Sequence, residues 1–279
     1  MASSFNPMKK LIFFISIAIL GASCEKDADI QLPKIDPMIG VYGFLEAGEP
    51  LQIELTDVRS IYEPIDRTNN GRILGALVTV TQGDSVYTLT ELGTGLYGHN
   101  HFVVAGATYQ IQVQKSGYKT ASATCTVPTY EVGQIEMEYL AMPDIDLDST
   151  RRFGFRFKDK AGERNYYRFG LIGRFDNNTG SEVYFSTYNL SDDNKDGQEM
   201  YTGLGSSYLW GSSQTQHLQA EATIITMNED LFKYQTSYDA YWMSEDNPFA
   251  EPVIMYSNIT NGVGIFGGLI RKVYTVQIY

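Results

Sequence analysis

Cysteine is almost missing from this chain. Only Cys24 and Cys125 occur in 279 residues, so no disulfide framework of the kind that staples small secreted domains can form. Histidine is nearly as rare: His99, His101 and His217 are the whole set. His99 and His101 are spaced to share one face of a strand, but a zinc site needs at least a third protein ligand. Basic residues are outnumbered, 21 Lys and Arg against 33 Asp and Glu, which gives a net charge of −12 and a pI near 4.7. That balance excludes nucleic acid as a partner, because phosphate neutralisation needs clustered Lys and Arg. No apolar run reaches the ~20 residues that cross a bilayer as a helix. Neither a G-x-S-x-G elbow nor an H-E-x-x-H helix occurs, so two common hydrolase signatures are lacking.

What is abundant points to β structure. The chain holds 20 Tyr, 14 Phe and 26 Gly, with 43% hydrophobic residues. Aromatic residues suit half-buried pleated surfaces, and glycine suits tight turns. With 19% charged residues the composition is that of a folded chain with a real core.

The N-terminal segment reads as a targeting signal. Lys9 and Lys10 precede the apolar run Leu11–Gly21, and small residues follow. A basic start, a short apolar stretch and small residues form the pattern of a secretory signal. "MKKLIFF" from Met8 has the form of a natural start, with residues 1–7 as an upstream extension. Leu20, Gly21, Ala22 and Ser23 lead into Cys24, which resembles the lipobox of bacterial lipoproteins, with Gly21 where Leu is usual. That resemblance implies cleavage between Ser23 and Cys24, a diacylglycerol on the Cys24 thiol and a further acyl chain, such as palmitate, on its amine. Each buried CH₂ of such chains adds about 0.8 kcal/mol of membrane affinity. Lys26 and Asp27, in "EKDAD", resemble the surface-export signal of Bacteroidota lipoproteins; an ordinary charged tether explains them equally.

The expected organisation is a signal peptide over 1–23, a lipid-anchored linker over 24–37, an immunoglobulin-like (carboxypeptidase-regulatory-like) β-sandwich over 38–130 and a second β-rich domain over 131–279. In the first domain "LQIEL" and "YQIQVQ" alternate, so Tyr109, Ile111 and Val113 should face the core. Gly83-Asp84 and Gly117 should turn hairpins. In the second domain one helix is expected near 227–243, started by a capping box at Thr226 and Glu229. Leu231, Tyr234, Tyr238 and Trp242 recur along it at helical spacing, which predicts a core-facing stripe.

Several short motifs invite chemistry. Asp192, Asn194, Asp196 and Gly197 in "DDNKDG" match the front half of a calcium loop, whose alternating acids supply hard oxygens. The bidentate acid of an EF-hand would then fall at Gly203, so a polar hairpin turn is the competing reading. Gly93-Gly95-Gly98 and Gly262-Gly264-Gly267 both match G-x-G-x-x-G. Neither has the strand, turn and helix context of a dinucleotide site, which predicts glycines that let backbones approach closely. Trp210, Trp242 and the many tyrosines could stack sugars, although core packing accounts for them more cheaply. Cys125, in an alternating run, is expected to be a small buried hydrophobe. Asp84-Ser85-Val86 and Asp148-Ser149-Thr150 resemble the O-glycosylation triplet of secreted Bacteroidota proteins.

"NPFAEPVIMYSNITNGVGIFGGL", Asn247 to Leu269, resembles the C-terminal signature of a Bacteroidota outer-membrane lipoprotein family, domain of unknown function 4249. "GVYGFL", "GALVTV", "GTGLY", "GATYQIQV" and "NYYRFGL" fall in that family's order. The resemblance implies a lipid-anchored protein of the outer membrane, exposed at the cell surface and often in the company of TonB-dependent transporters. It implies no activity. The expected function is therefore a non-enzymatic binding or accessory module for a glycan or other small ligand, with no cofactor unless Ca²⁺. The alternatives are a glycan-active hydrolase with paired carboxylates and a structural or adhesive envelope protein.

Overall fold

The computed structural model describes residues 36–60, 70–141, 150–175, 182–185, 188–203, 205–209, 218–245 and 249–278. Ser23, Cys24, Lys26, Asp27, Trp210, His217, Asp148 and Ser149 lie outside them. Asp36–Tyr279 form one compact unit, mainly β, with one packed helix among the described residues. No helix among those residues is long and apolar enough to cross a membrane.

The N-terminal half is a β-sandwich. One sheet holds β1 (Met38–Glu46), β2 (Pro50–Val58) and β5 (Leu96–Phe102); the other holds β3 (Leu77–Gln82), β6 (Thr108–Gln114) and β7 (Ala121–Thr126). β4 (Ser85–Gly93) belongs to both. Ser85–Leu89 pair with β3, and Thr90–Gly93 pair with β5 across a register shift between Glu91 and Gly93. The alternation of the sequence is obeyed: Tyr109, Ile111 and Val113 are buried while the residues between them are exposed. They pack with Val78 and Val80 of the adjacent strand β3 and with Ile39, Val41, Leu51 and Ile53 of the facing sheet. Gly83 turns the β3–β4 hairpin at φ 54°, a left-handed value that glycine adopts without strain. Cys125 is a free, buried thiol in this core. Burial, and then Asp230, push it well above the ordinary thiol range.

The C-terminal half is a curled sheet. β9 (Thr150–Lys158) pairs with β8 (Ile135–Ala141), β13 (Glu199–Tyr201) and β14 (Gly205–Leu209). β10 (Tyr166–Phe175) pairs with β11 (Glu182–Phe185), β12 (Tyr188–Ser191) and β15 (Leu218–Met227). Phe155 and Phe157 of β9 meet Tyr167, Phe169 and Leu171 of β10 and Ala222 and Ile224 of β15 in a second core.

The division of residues 38–130 from 131–279 meets a shared strand. β16 (Gly262–Ile278) pairs in parallel with β1 over Gly262–Leu269, then antiparallel with β15 over Leu269–Ile278. Its side chains reach both cores: Phe266 sits in the sandwich core, and Tyr274 and Val276 pack on the second. The sandwich is also tied along its other side, where Ser122 and Thr260 exchange backbone hydrogen bonds of 3.1 and 2.8 Å.

The glycines of the C-terminal signature exist for this strand. Gly264 has φ 110°, and a Cβ there would lie 2.2 Å from the Val41 carbonyl oxygen. Gly262-Gly264-Gly267 is thus a packing device on a strand rather than a phosphate loop. Gly264→Ala should cost at least about 3 kcal/mol, from forbidden backbone plus steric overlap. Gly133→Ala, with nothing within 4 Å of the added carbon, should stay within about 0.5 kcal/mol. Urea unfolding of the two variants tests this, and equal midpoints would refute it.

Candidate binding surface

Helix α1 (Glu229–Glu245) lies across the outer faces of β16 and β1. Its start differs from the expected capping box. Thr226 is still in β15, and the cap is Asn228, whose side-chain oxygen accepts from Leu231 N at 3.3 Å and from Gly268 N at 3.2 Å. One amide therefore caps the helix and fixes it to β16. The far side is held by Arg168, which donates to both carboxylate oxygens of Asp239 at 2.7 and 3.1 Å and to Asn189 at 2.8 Å.

The aromatic stripe departs from its expected role halfway along. Leu231 and Tyr234 are buried with Met227, Ile265 and Leu269. Tyr238 and Trp242, one and two turns on, are 37% and 55% exposed. Tyr234 is the last buried residue of the helix, so the later turns carry the stripe into solvent. Ring centroids follow one another at 6.3 Å (Tyr234–Tyr238) and 6.0 Å (Tyr238–Trp242), close to the ~6 Å rise of four helical residues.

A cleft of about 320 Å³ opens beneath these rings, lined by Tyr42, Phe44, Glu54, Tyr234, Gln235 and Tyr238. Tyr42 and Phe44 are the outward positions of β1, and Glu54 is opposite Tyr42 on β2. Phe44 meets Tyr234 edge-on, with centroids 6.3 Å apart and planes at 61°. The sequence reading missed Tyr42, Phe44 and Glu54. Their signal was aromatic residues at the non-core positions of an alternating strand. Past the cleft the helix ends in Met243, 85% exposed, and the chain then presents Phe249 and Ile254, 94% and 90% exposed. It is recaptured where Tyr256 N donates to Ser237 Oγ at 2.9 Å and Tyr256 OH donates to Asp230.

The calcium-like loop also gains a residue. Asp192 and Asp196 stand with Asp159, from the end of β9, so that one oxygen of each lies within 4.8 Å of the others. Asp159 accepts from Tyr167 OH and from Gly197 N at 2.8 Å; Asp192 accepts from Asn165 N at 3.0 Å, and Asp196 from Gly162 N at 2.7 Å. Asn194 makes the turn at φ 61°. No local pattern could have linked Asp159 to the loop, because tertiary folding alone brings β9 there.

The remaining candidate residues stand on strands. His99 and His101 do share a face, and both stand against Tyr87, at centroid distances of 5.2 and 4.1 Å. Burial, with His99 beside it, lowers the His101 imidazole below its ordinary value. Glu138 and Glu199, a converging acid pair, are both bound to the Arg156 guanidinium, at 3.3 and 3.1 Å. Ser85 of the first triplet is exposed at the start of β4.

Three phenols are held neutral by their settings. Burial, then neighbouring Tyr42 and Tyr238, push Tyr234 up to about 12. Burial and the bond to Asp230 push Tyr256 to about 12, and burial with Glu131 nearby does the same for Tyr274. A phenol with a raised folded value loses stability as pH climbs through it. The contribution of these phenols should therefore be level below pH 10, and stability should fall between pH 10 and about 12. Urea midpoints across that range check this, and Tyr234→Phe should flatten part of the fall.

A family model described as Domain of unknown function (DUF4249) matches residues 25–273. No match was found among curated proteins. Among solved structures, Escherichia coli alpha-2-macroglobulin activated by porcine elastase aligns at 11% identity and a TM-score of 0.24. The alignment covers 70% of this chain and 19% of that one, and so little likeness carries no argument.

Proposed function

We propose, for a chain that belongs to the DUF4249 family, a non-enzymatic lipoprotein of the outer membrane. It is cleaved behind Ser23, anchored through Cys24 and carried to the cell surface by the signal that includes Lys26 and Asp27. Its compact unit acts as a binding or accessory module beside a TonB-dependent uptake system. The observation that supports this best is the exposed apolar end of α1. Trp242, Met243, Phe249 and Ile254 stand in solvent within thirteen residues of chain. Large exposed apolar patches mark interaction sites, and Trp, Met and Phe are the residues enriched at the centres of protein interfaces. The cleft beside that end, with its ring walls, serves the small ligand or glycan.

Co-purification from detergent-solubilised membranes tests the reading. A transporter should follow the full chain, and Trp242→Ala with Phe249→Ala should cut its recovery roughly tenfold, as loss of a hot spot does. Recovery without any transporter overturns the partner, and a Cys24→Ala chain that stays in the membrane fraction overturns the anchor.

The cofactor belongs to the same proposal: Ca²⁺ held by Asp192 and Asp196 of the loop and Asp159 from the end of β9, three hard carboxylate ligands. A ligand that binds only the folded chain raises its melting temperature by mass action. Millimolar Ca²⁺ should raise the midpoint of the full chain over a chelated sample, and Asp196→Ala, at an exposed position, should abolish the difference. Equal midpoints for the unaltered chain would sink the calcium reading.

A further inference from the structure

We infer that the cleft between α1 and the outer face of β1 and β2 takes a small organic cation, a quaternary or alkylated ammonium group. The inference rests on the reading of this cleft as the ligand site and names the ligand's chemistry. Four of the six lining side chains are aromatic: Tyr42, Phe44, Tyr234 and Tyr238. The Phe44 and Tyr234 planes stand at 61° with centroids 6.3 Å apart, and Tyr238 extends the wall at 6.3 Å from Tyr234. Four rings in so small a lining put aromatic surface beside any guest. A cation within about 6 Å of a ring centroid is attracted to that face, and the attraction grows as water is excluded.

Charge supports the same guest. The only charged side chain in the lining is a carboxylate, Glu54. Glu54 is paired through its Oε1 with Arg72, which is not in the lining, so a cationic guest shares this carboxylate with a guanidinium. The whole chain carries −12, so the long-range field also draws cations. A hard metal ion is poorly served here, because it needs six or more oxygens and the cleft offers one carboxylate. An alkylated ammonium needs no such shell, since its charge is spread over methyl groups that pack on rings. The size fits too: about 320 Å³ is at the small end of the ~300–1,000 Å³ range of ligand sites. That suits a small molecule rather than a folded peptide.

Calorimetric titration of the full chain in detergent tests the inference, with choline as the cation and 3,3-dimethylbutanol as its neutral carbon isostere. Choline should bind about tenfold or more tightly than the isostere, because only the charge differs. Phe44→Ala and Tyr238→Ala, both at exposed positions, should each weaken choline severalfold. Glu54→Gln should weaken choline and leave the isostere unchanged. Val86→Ala, at an exposed position on β4 outside the cleft, should leave choline affinity intact. Equal binding of choline and isostere overturns the cation while keeping the cleft as a ligand site. Saturation by a neutral oligosaccharide with no choline heat does the same. Choline binding that survives both Phe44→Ala and Tyr238→Ala overturns the assignment to this cleft, and the absence of heat from all three probes overturns the cleft itself.

Discussion

Everything in the compact unit leans on β16. Its first half completes the sandwich sheet against β1, and its second half completes the other sheet against β15. Phe266 fills one core, Ile265 and Leu269 support the helix, and Tyr274 and Val276 cover the other core. A strand with so many neighbours has little room beside its backbone. Gly267 faces Leu231 of the helix and Gly268 faces Val127, with an added carbon closer than 3 Å in both places. Asn258 extends the arrangement: its side chain exchanges two hydrogen bonds with the Phe266 backbone, at 3.0 and 2.9 Å, and also reaches Asp230. The C-terminal signature is thus a record of close contact around one strand.

The binding surface follows from the same geometry. The helix is pinned at its start by Asn228 and along its side by Arg168, so its register on the sheet is fixed. A fixed helix longer than the face it covers must project its last turns. The aromatic residues that would be core one turn earlier become cleft wall at Tyr238 and an exposed tip at Trp242 and Met243. Buried and exposed parts of a single stripe therefore divide the labour between holding the fold and meeting a partner.

Local periodicity made much of this legible from sequence. The alternation at Tyr109, Ile111 and Val113 and the turn at Gly83 are properties of a few neighbouring residues, and a strand or hairpin needs nothing more. The helix expected near 227–243 is found at Glu229–Glu245 for the same reason. What escaped was set at a distance. Thr226 looks like a cap by spacing, but its place in β15 is decided by pairing with Tyr167. Tyr238 and Trp242 obey the period of Leu231 and Tyr234, and periodicity cannot report where the supporting sheet ends. Asp159 meets Asp192 only through the fold, and Phe44 meets Tyr234 across most of the chain.

The parallel pairing of β1 with β16 has a temporal meaning. Ribosomes deliver β1 long before β16, so the edge of β1 that β16 covers must wait for that partner. Contacts of such sequence separation form late and slowly, and an open strand edge is ready to join another chain in the meantime.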